Sequence, residues 1–258
     1  MSKRKRLPTK TAQRYNTRHI VRLFFHTLPQ GVMDLRFRII SIVLAFCVLV
    51  VGCATPAVTT DTKAYILIDP GHGGFDGGTV AVDGTMEKNI NLLISLHLRD
   101  MLLVCGFTVA MTRDTDVSTQ SDDAATIREK KVSDINNRLS MYESSATVIS
   151  IHQNHYTSSK YSGAQVFFSD NHPQSETLAA MIQQSVVTRL QPNNNRQYKR
   201  ASDGIYLMQH TTVPTVLVEC GFMSNAEELA LLRDEQYRRQ MAWTICLGYL
   251  EYTIECEG

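Results

Sequence analysis

Four residues of this 258-residue chain have the types and surroundings to do chemistry together: His72, Glu87, His152 and Glu219. His72 sits in IDPGHGGFDGG, where Gly71, Gly73 and Gly74 allow a tight turn that brings the imidazole close to a ligand. A phosphate loop is disfavoured there, because no GK[ST] follows. His152 closes the β-branched run ATVISIH and is followed by polar Gln153 and Asn154, so it is positioned to project into a cleft. A satisfied core histidine is the competing reading. Glu219 ends TVLVE among Val218, Cys220, Gly221 and Phe222. A carboxylate in apolar company is costly unless paired, or is held with a raised pKa, which suits a general acid or base beside a metal. Glu87 opens a helix after Asp83-Gly84-Thr85; the helix dipole alone favours an acid at that position. Two histidines and one carboxylate, with a fourth position open to water, make a catalytic zinc site, in which the water's pKa drops toward about 7.

These residues need a scaffold that gathers them. AYILID ends at Pro70-Gly71 and reads as a buried strand; FTVAMT (107–112), ATVISIH (146–152), AQVFFS (164–169) and TVLVEC (215–220) read as further strands. Between them, 87–103, 126–143, 176–190, 227–232 and 235–253 read as helices, the last with Trp243 packing inward. Nearly continuous apolar strands alternating with helices predict a single α/β domain, a mostly parallel central sheet with helices on both faces, preceded by an N-terminal membrane or export segment. Ligands bind beyond the carboxyl ends of the strands in such sheets. His72 follows the first strand, His152 ends the central one and Glu219 ends the last, so all three fall at one edge.

The set IDPGHGG, MEKNINL, SIHQNH and VPTVLVECGFMSN resembles the N-acetylmuramoyl-L-alanine amidase family of zinc cell-wall hydrolases, in the right order and over roughly residues 64–253. The resemblance implies that His72, Glu87 and His152 bind zinc and that Glu219 is the catalytic acid/base. It implies hydrolysis of the amide between N-acetylmuramic acid and L-alanine, with peptidoglycan strands bearing stem peptides as the partner. The SSKYSGAQVFFS stretch and the compact 153–175 segment look similar to the spore-cortex branch, whose members strip the stem peptide so that muramic-δ-lactam can form. That short segment leaves no room for the autoinhibitory helix some relatives insert. His155 departs from the family, which usually carries a small residue there. Asn154, Arg138 and His155 are candidates for substrate contact, with hydrogen bonding inside the fold or plain exposure as the alternative. His97 and His210 read as structural or surface residues. Rival functions are a zinc carboxypeptidase acting on stem peptides and a catalytically silent wall-binding module; an accessory activator protein is a further expected partner.

Charge locates the work outside the cytoplasm. Residues 1–38 hold ten of the 26 basic residues and only Asp34 of the 25 acids, leaving 16 basic against 24 acidic residues in 39–258, a net of −8. An acidic body argues against nucleic-acid binding. The basic arm instead precedes the uncharged run IISIVLAFCVLVVGCA, about signal-peptide length and short of the roughly 20 residues of a full span. The chain thus reads as a basic N-terminal region (1–38), a signal peptide or membrane anchor (39–55), a linker (56–63) and a catalytic domain (64–253). Val50-Val51-Gly52-Cys53 resembles a lipoprotein processing box, which would anchor the chain at Cys53, and Met33 is an alternative start. No CxxC or Cys/His spacing marks a structural zinc site; Cys105, Cys220 and Cys246 read as buried residues.

Overall fold

The computed structural model describes residues 65–257, and the basic arm, export segment and linker lie outside that range. Strand β1 (Ile66–Pro70) is buried along its whole length, as an apolar run covered on both faces must be. It is followed by α1 (Glu87–Val104), β2 (Val109–Met111), α2 (Ile127–Glu143), β3 (Thr147–Asn154), β4 (Gln165–Phe168), α3 (Gln174–Arg189) and β5 (Lys199–Arg200). The chain closes with α4 (Tyr206–His210), β6 (Thr215–Phe222), α5 (Ala226–Arg233) and α6 (Glu235–Glu257). The six strands form one mixed sheet in the order β2-β1-β3-β6-β4-β5. All pairs are parallel except β4 with β6.

Alternation along the strands separates two layers. Ile66, Ile68, Ile149, Ile151, Val216 and Val218 point into the main core with α1, α3, α5 and α6. Leu67 and Val148 point the other way, against Tyr142 of α2, while Leu217 packs with Met208 of α4. The same alternation carries Asp69, Ser150, His152 and Glu219 onto the α2/α4 side. Register does the rest: Asp69 lies beside Ser150, and His152 directly beside Glu219. Helices therefore cover both faces, as expected from the sequence.

Two local expectations need correction, and two short elements join those expected. Trp243 is 47% exposed on the outer side of α6, because the inward stripe is taken by Ala242, Ile245, Cys246 and Tyr249. Cys105 is exposed, since it caps α1 after the helix has left the core, whereas Cys220 and Cys246 are buried. The short β5 and α4 are additional elements. Segments of two and five residues are too short for a hydrophobic period to show, and their neighbours in the tertiary structure define them.

Candidate active site

His72 adopts φ 61°, the left-handed region that side chains other than glycine rarely occupy. Two contacts hold it there. Its Nδ1 pairs with Asp76 Oδ2 at 3.0 Å, and its carbonyl accepts from Arg138 Nη2 at 2.7 Å. The glycines around it answer specific demands of space. A Cβ on Gly71 would lie 2.2 Å from the His152 ring, and one on Gly78 would lie 2.6 Å from the His72 ring and 2.7 Å from Glu87 Oε2. Gly71→Ala is therefore expected to displace the His152 ring and lower the midpoint of thermal unfolding. A Gly71→Ala chain that melts like wild type would show that the ring has room to move.

Glu87 begins α1 on the same stripe as Ile90, Asn91, Ile94, Leu98 and Leu102, so the helix face that fills the core also buries this carboxylate. A buried charge must be satisfied. Glu87 Oε1 lies 3.3 Å from His72 Nε2 and 3.1 Å from His152 Nδ1, and accepts from Gln153 N at 3.1 Å and Asn91 Nδ2 at 3.3 Å. Its Oε2 accepts from Thr79 N at 2.9 Å. Burial opposes its ionisation, but bonds to His152 and His72 outweigh that and hold the carboxyl well below the ordinary range. For His72 burial disfavours the charged ring, yet bonds to Asp76 and Glu87 prevail and lift it to about 9.

One donor atom from each of His72, Glu87 and His152 fits within 4.8 Å of the others, a group able to hold a metal ion. The two imidazoles meet edge to face at 5.0 Å. The set also has outer support of the kind metal ligands use, with Asp76 behind His72 and Asn91 and the Gln153 amide behind Glu87. Glu219 stands beside this group without bonding to it, and its Oε2 is buried with no partner. Burial first, and the nearby Glu87 charge second, raise its pKa to about 7 against the opposing pull of His152 and His72. A cavity of about 390 Å³ opens beside His152 and Glu219, walled by Ile135, Ile205, Leu207 and Leu217.

Beneath the site lies a network that sequence reasoning missed. Asp69 is 1% exposed and accepts from Thr112 Oγ1 at 2.6 Å, Tyr142 Oη at 2.5 Å and Ser150 Oγ at 3.0 Å, and is ion-paired with Arg138. Burial raises its pKa, but Arg138 and these hydroxyls hold it far below the usual range. Arg138 is 3% exposed and spends its donors on Asp69, Asp134, the Pro70 carbonyl and the His72 carbonyl. Its bonds are those of the internal hydrogen-bonder, the second of the two alternatives. Arg113 likewise donates to the Pro70, Gly71 and Lys88 carbonyls. The available signal was Asn91 on the apolar stripe of α1 and Arg138 on a helix facing buried strands. Asn154 ends β3 half-buried, its carbonyl accepting from Met223 N at 2.8 Å. His155 is exposed and lines a separate groove. His97 is half-buried on α1, and His210 is exposed and stacked on Tyr206.

Comparison with known proteins decides what this arrangement serves: the family profile described as N-acetylmuramoyl-L-alanine amidase matches residues 66–250. The chain belongs to the N-acetylmuramoyl-L-alanine amidase family. It is 38% identical over 192 residues to the germination-specific N-acetylmuramoyl-L-alanine amidase of Bacillus subtilis, covering 74% of this chain and 80% of that protein. The structure of the CwlD amidase from Clostridioides difficile, in complex with the GerS lipoprotein, matches with TM-score 0.71 and 37% identity, over 74% of this chain and 98% of that one. The amidase AmiC2 of Nostoc punctiforme matches with TM-score 0.64 and 26% identity, over 74% and 98% of the two chains. This protein is thus an N-acetylmuramoyl-L-alanine amidase. Among the described residues, no helix is long and apolar enough to cross a membrane.

Proposed function

We propose that this amidase is a zinc enzyme of the spore cortex, in which His72, Glu87 and His152 hold the ion and Glu219 moves the proton. The reading rests on one juxtaposition: an unpartnered, buried carboxylate oxygen of Glu219 beside three donors that share a radius suited to a single cation. Two imidazoles and one carboxylate fit zinc's preference. When bound, zinc supplies Lewis-acid polarisation of the amide carbonyl and of the attacking water. Glu219, ionised near neutrality, accepts the water's proton and delivers it to the departing alanine amine. Asp76 and Arg138 keep the His72 ring and backbone in position, so little rearrangement is needed when substrate arrives.

The cortex assignment follows the germination-specific name of the Bacillus relative and the SSKYSGAQVFFS stretch. An accessory partner is the matching proposal from the GerS complex of the Clostridioides amidase. Residues 39–55 would export the catalytic domain, with Cys53 as the candidate lipid anchor. The test is to purify the full-length chain, measure its metal and digest cortex peptidoglycan, with products identified by mass spectrometry. About one zinc per chain and intact stem peptides leaving free lactyl carboxyls are expected. Released D-alanine would indicate a carboxypeptidase instead, and zinc without cleavage would point to a required activator.

His152→Ala or His72→Ala is expected to lose the metal and all activity. Chelation should act differently from denaturation. Without metal, Glu87 keeps its bonds to His72 and His152, so activity disappears while a cooperative melting transition persists at a lower midpoint. A chelated chain with no melting transition by circular dichroism would show that the ion holds the fold together.

A further inference from the structure

A second cavity, a groove of about 440 Å³, runs between the loop of residues 80–83, the segment after β3 (His155 to Ser159) and the start of α5. It shares no lining residue with the cavity beside Glu219, and the two lie toward opposite faces of the sheet. Its walls nevertheless grow directly out of the candidate site. Val80 follows Thr79, whose amide holds Glu87, and His155 follows Asn154 at the end of the strand that carries His152.

Resting on the amidase and its proton path through Glu219, we propose that this groove is a binding subsite for the glycan strand, taking N-acetylated amino sugars next to the muramic acid that is cleaved. Glu219 delivers its proton to the departing amine, so the stem peptide leaves through the cavity that Glu219 lines. The acyl side of the same amide carries the sugar, and it extends the other way, toward the groove.

The groove has the chemistry of a sugar site. Tyr156 is 53% exposed and meets Tyr161 edge to face at 4.9 Å, which leaves a ring available for the apolar face of a sugar. Val80 and Val82, 56% and 105% exposed, offer methyl groups to N-acetyl substituents. Asp83 and Arg233 pair at 2.7 Å across it and provide an acceptor and a donor for hydroxyls. The segment is also built to stay in place. Tyr156 N donates to Ser224 Oγ at 3.1 Å, and Asn225 Nδ2 donates to the Ser159 carbonyl at 3.0 Å and the Tyr161 carbonyl at 3.3 Å. Tyr161 stacks on Phe222, which Arg196 covers at 4.6 Å. The backbone that carries Tyr156 is thus held in place before any ligand arrives, which lowers the ordering cost of binding.

The test is calorimetric binding of a peptide-free tetramer of β-1,4-linked N-acetylglucosamine to the full chain, alongside cleavage of disaccharide-peptide and longer glycan-peptide substrates. We expect wild type to bind the tetramer, Tyr156→Ala to weaken it at least tenfold, and Tyr156→Phe, which keeps the ring, to stay within threefold. Wild type should also show a lower KM for the longer substrate, an advantage that Tyr156→Ala loses. No tetramer binding by wild type, or equal binding by Tyr156→Ala, overturns the subsite. Tetramer binding without cleavage of either substrate leaves the subsite standing and points to a required activator for the cleavage itself.

Discussion

Glu219→Gln is expected to lower kcat by roughly 10²–10⁴-fold with metal content unchanged and KM nearly so, since a general acid/base contributes about that much. The substitution keeps the shape of a side chain whose Oε2 makes no hydrogen bond and which is not among the three donors that could hold an ion, so the ion has no reason to leave. The pH profile carries the same information. Glu219 works as a base only when ionised, so kcat/KM falls as pH drops through its pKa. Burial raises that pKa from 4.5 to about 7, and a bound cation pulls it back down. The acid limb should therefore lie between those two values in wild type and vanish from the residual activity of Glu219→Gln. Single-turnover assays with metal quantified on the same sample decide it. Activity within tenfold of wild type would remove Glu219 from the mechanism.

Arg138→Met should have the largest effect on stability and a second effect on the site. It strands the Asp69 carboxylate, 1% exposed, without its cation, and breaking one side of a buried ion pair costs about 3–5 kcal/mol. It also removes the 2.7 Å donor to the His72 carbonyl, releasing a residue held at φ 61°. Metal affinity is expected to fall about 10–100-fold, the usual cost of losing support behind a ligand. The double variant Asp69→Leu/Arg138→Met separates the two effects. Removing both charges should recover much of the stability in urea unfolding, while affinity stays low because the His72 carbonyl still lacks its donor. Full recovery of both would mean that Arg138 serves the fold alone.

Much of the site was readable in one dimension because each main residue ends or begins an element with a strong local pattern. The β-branched runs before His152 and Glu219 specify strands, and the glycines around His72 specify a turn. A sheet of mostly parallel strands brings their carboxyl ends to one edge, so three residues far apart in sequence converge. Glu87 was less legible, since its first-turn position has an ordinary electrostatic explanation; only its neighbours on the buried stripe, Ile90 and Asn91, hint that it faces inward.

What the sequence by itself determined was the order of the main strands and helices, the three residues at the sheet edge with Glu87 opening α1, and the family motifs that join them. Tertiary structure alone decided which face those residues share, because pairing register puts His152 beside Glu219 and Asp69 beside Ser150. It also decided that Arg138 is an internal clamp and that Trp243 lies outside the core. The physical reason is range. Strand and turn preferences act over a few neighbouring residues, whereas the burial of a charge and the partners that satisfy it depend on segments far apart, as Arg138 and Ser150 are 69 and 81 positions from Asp69.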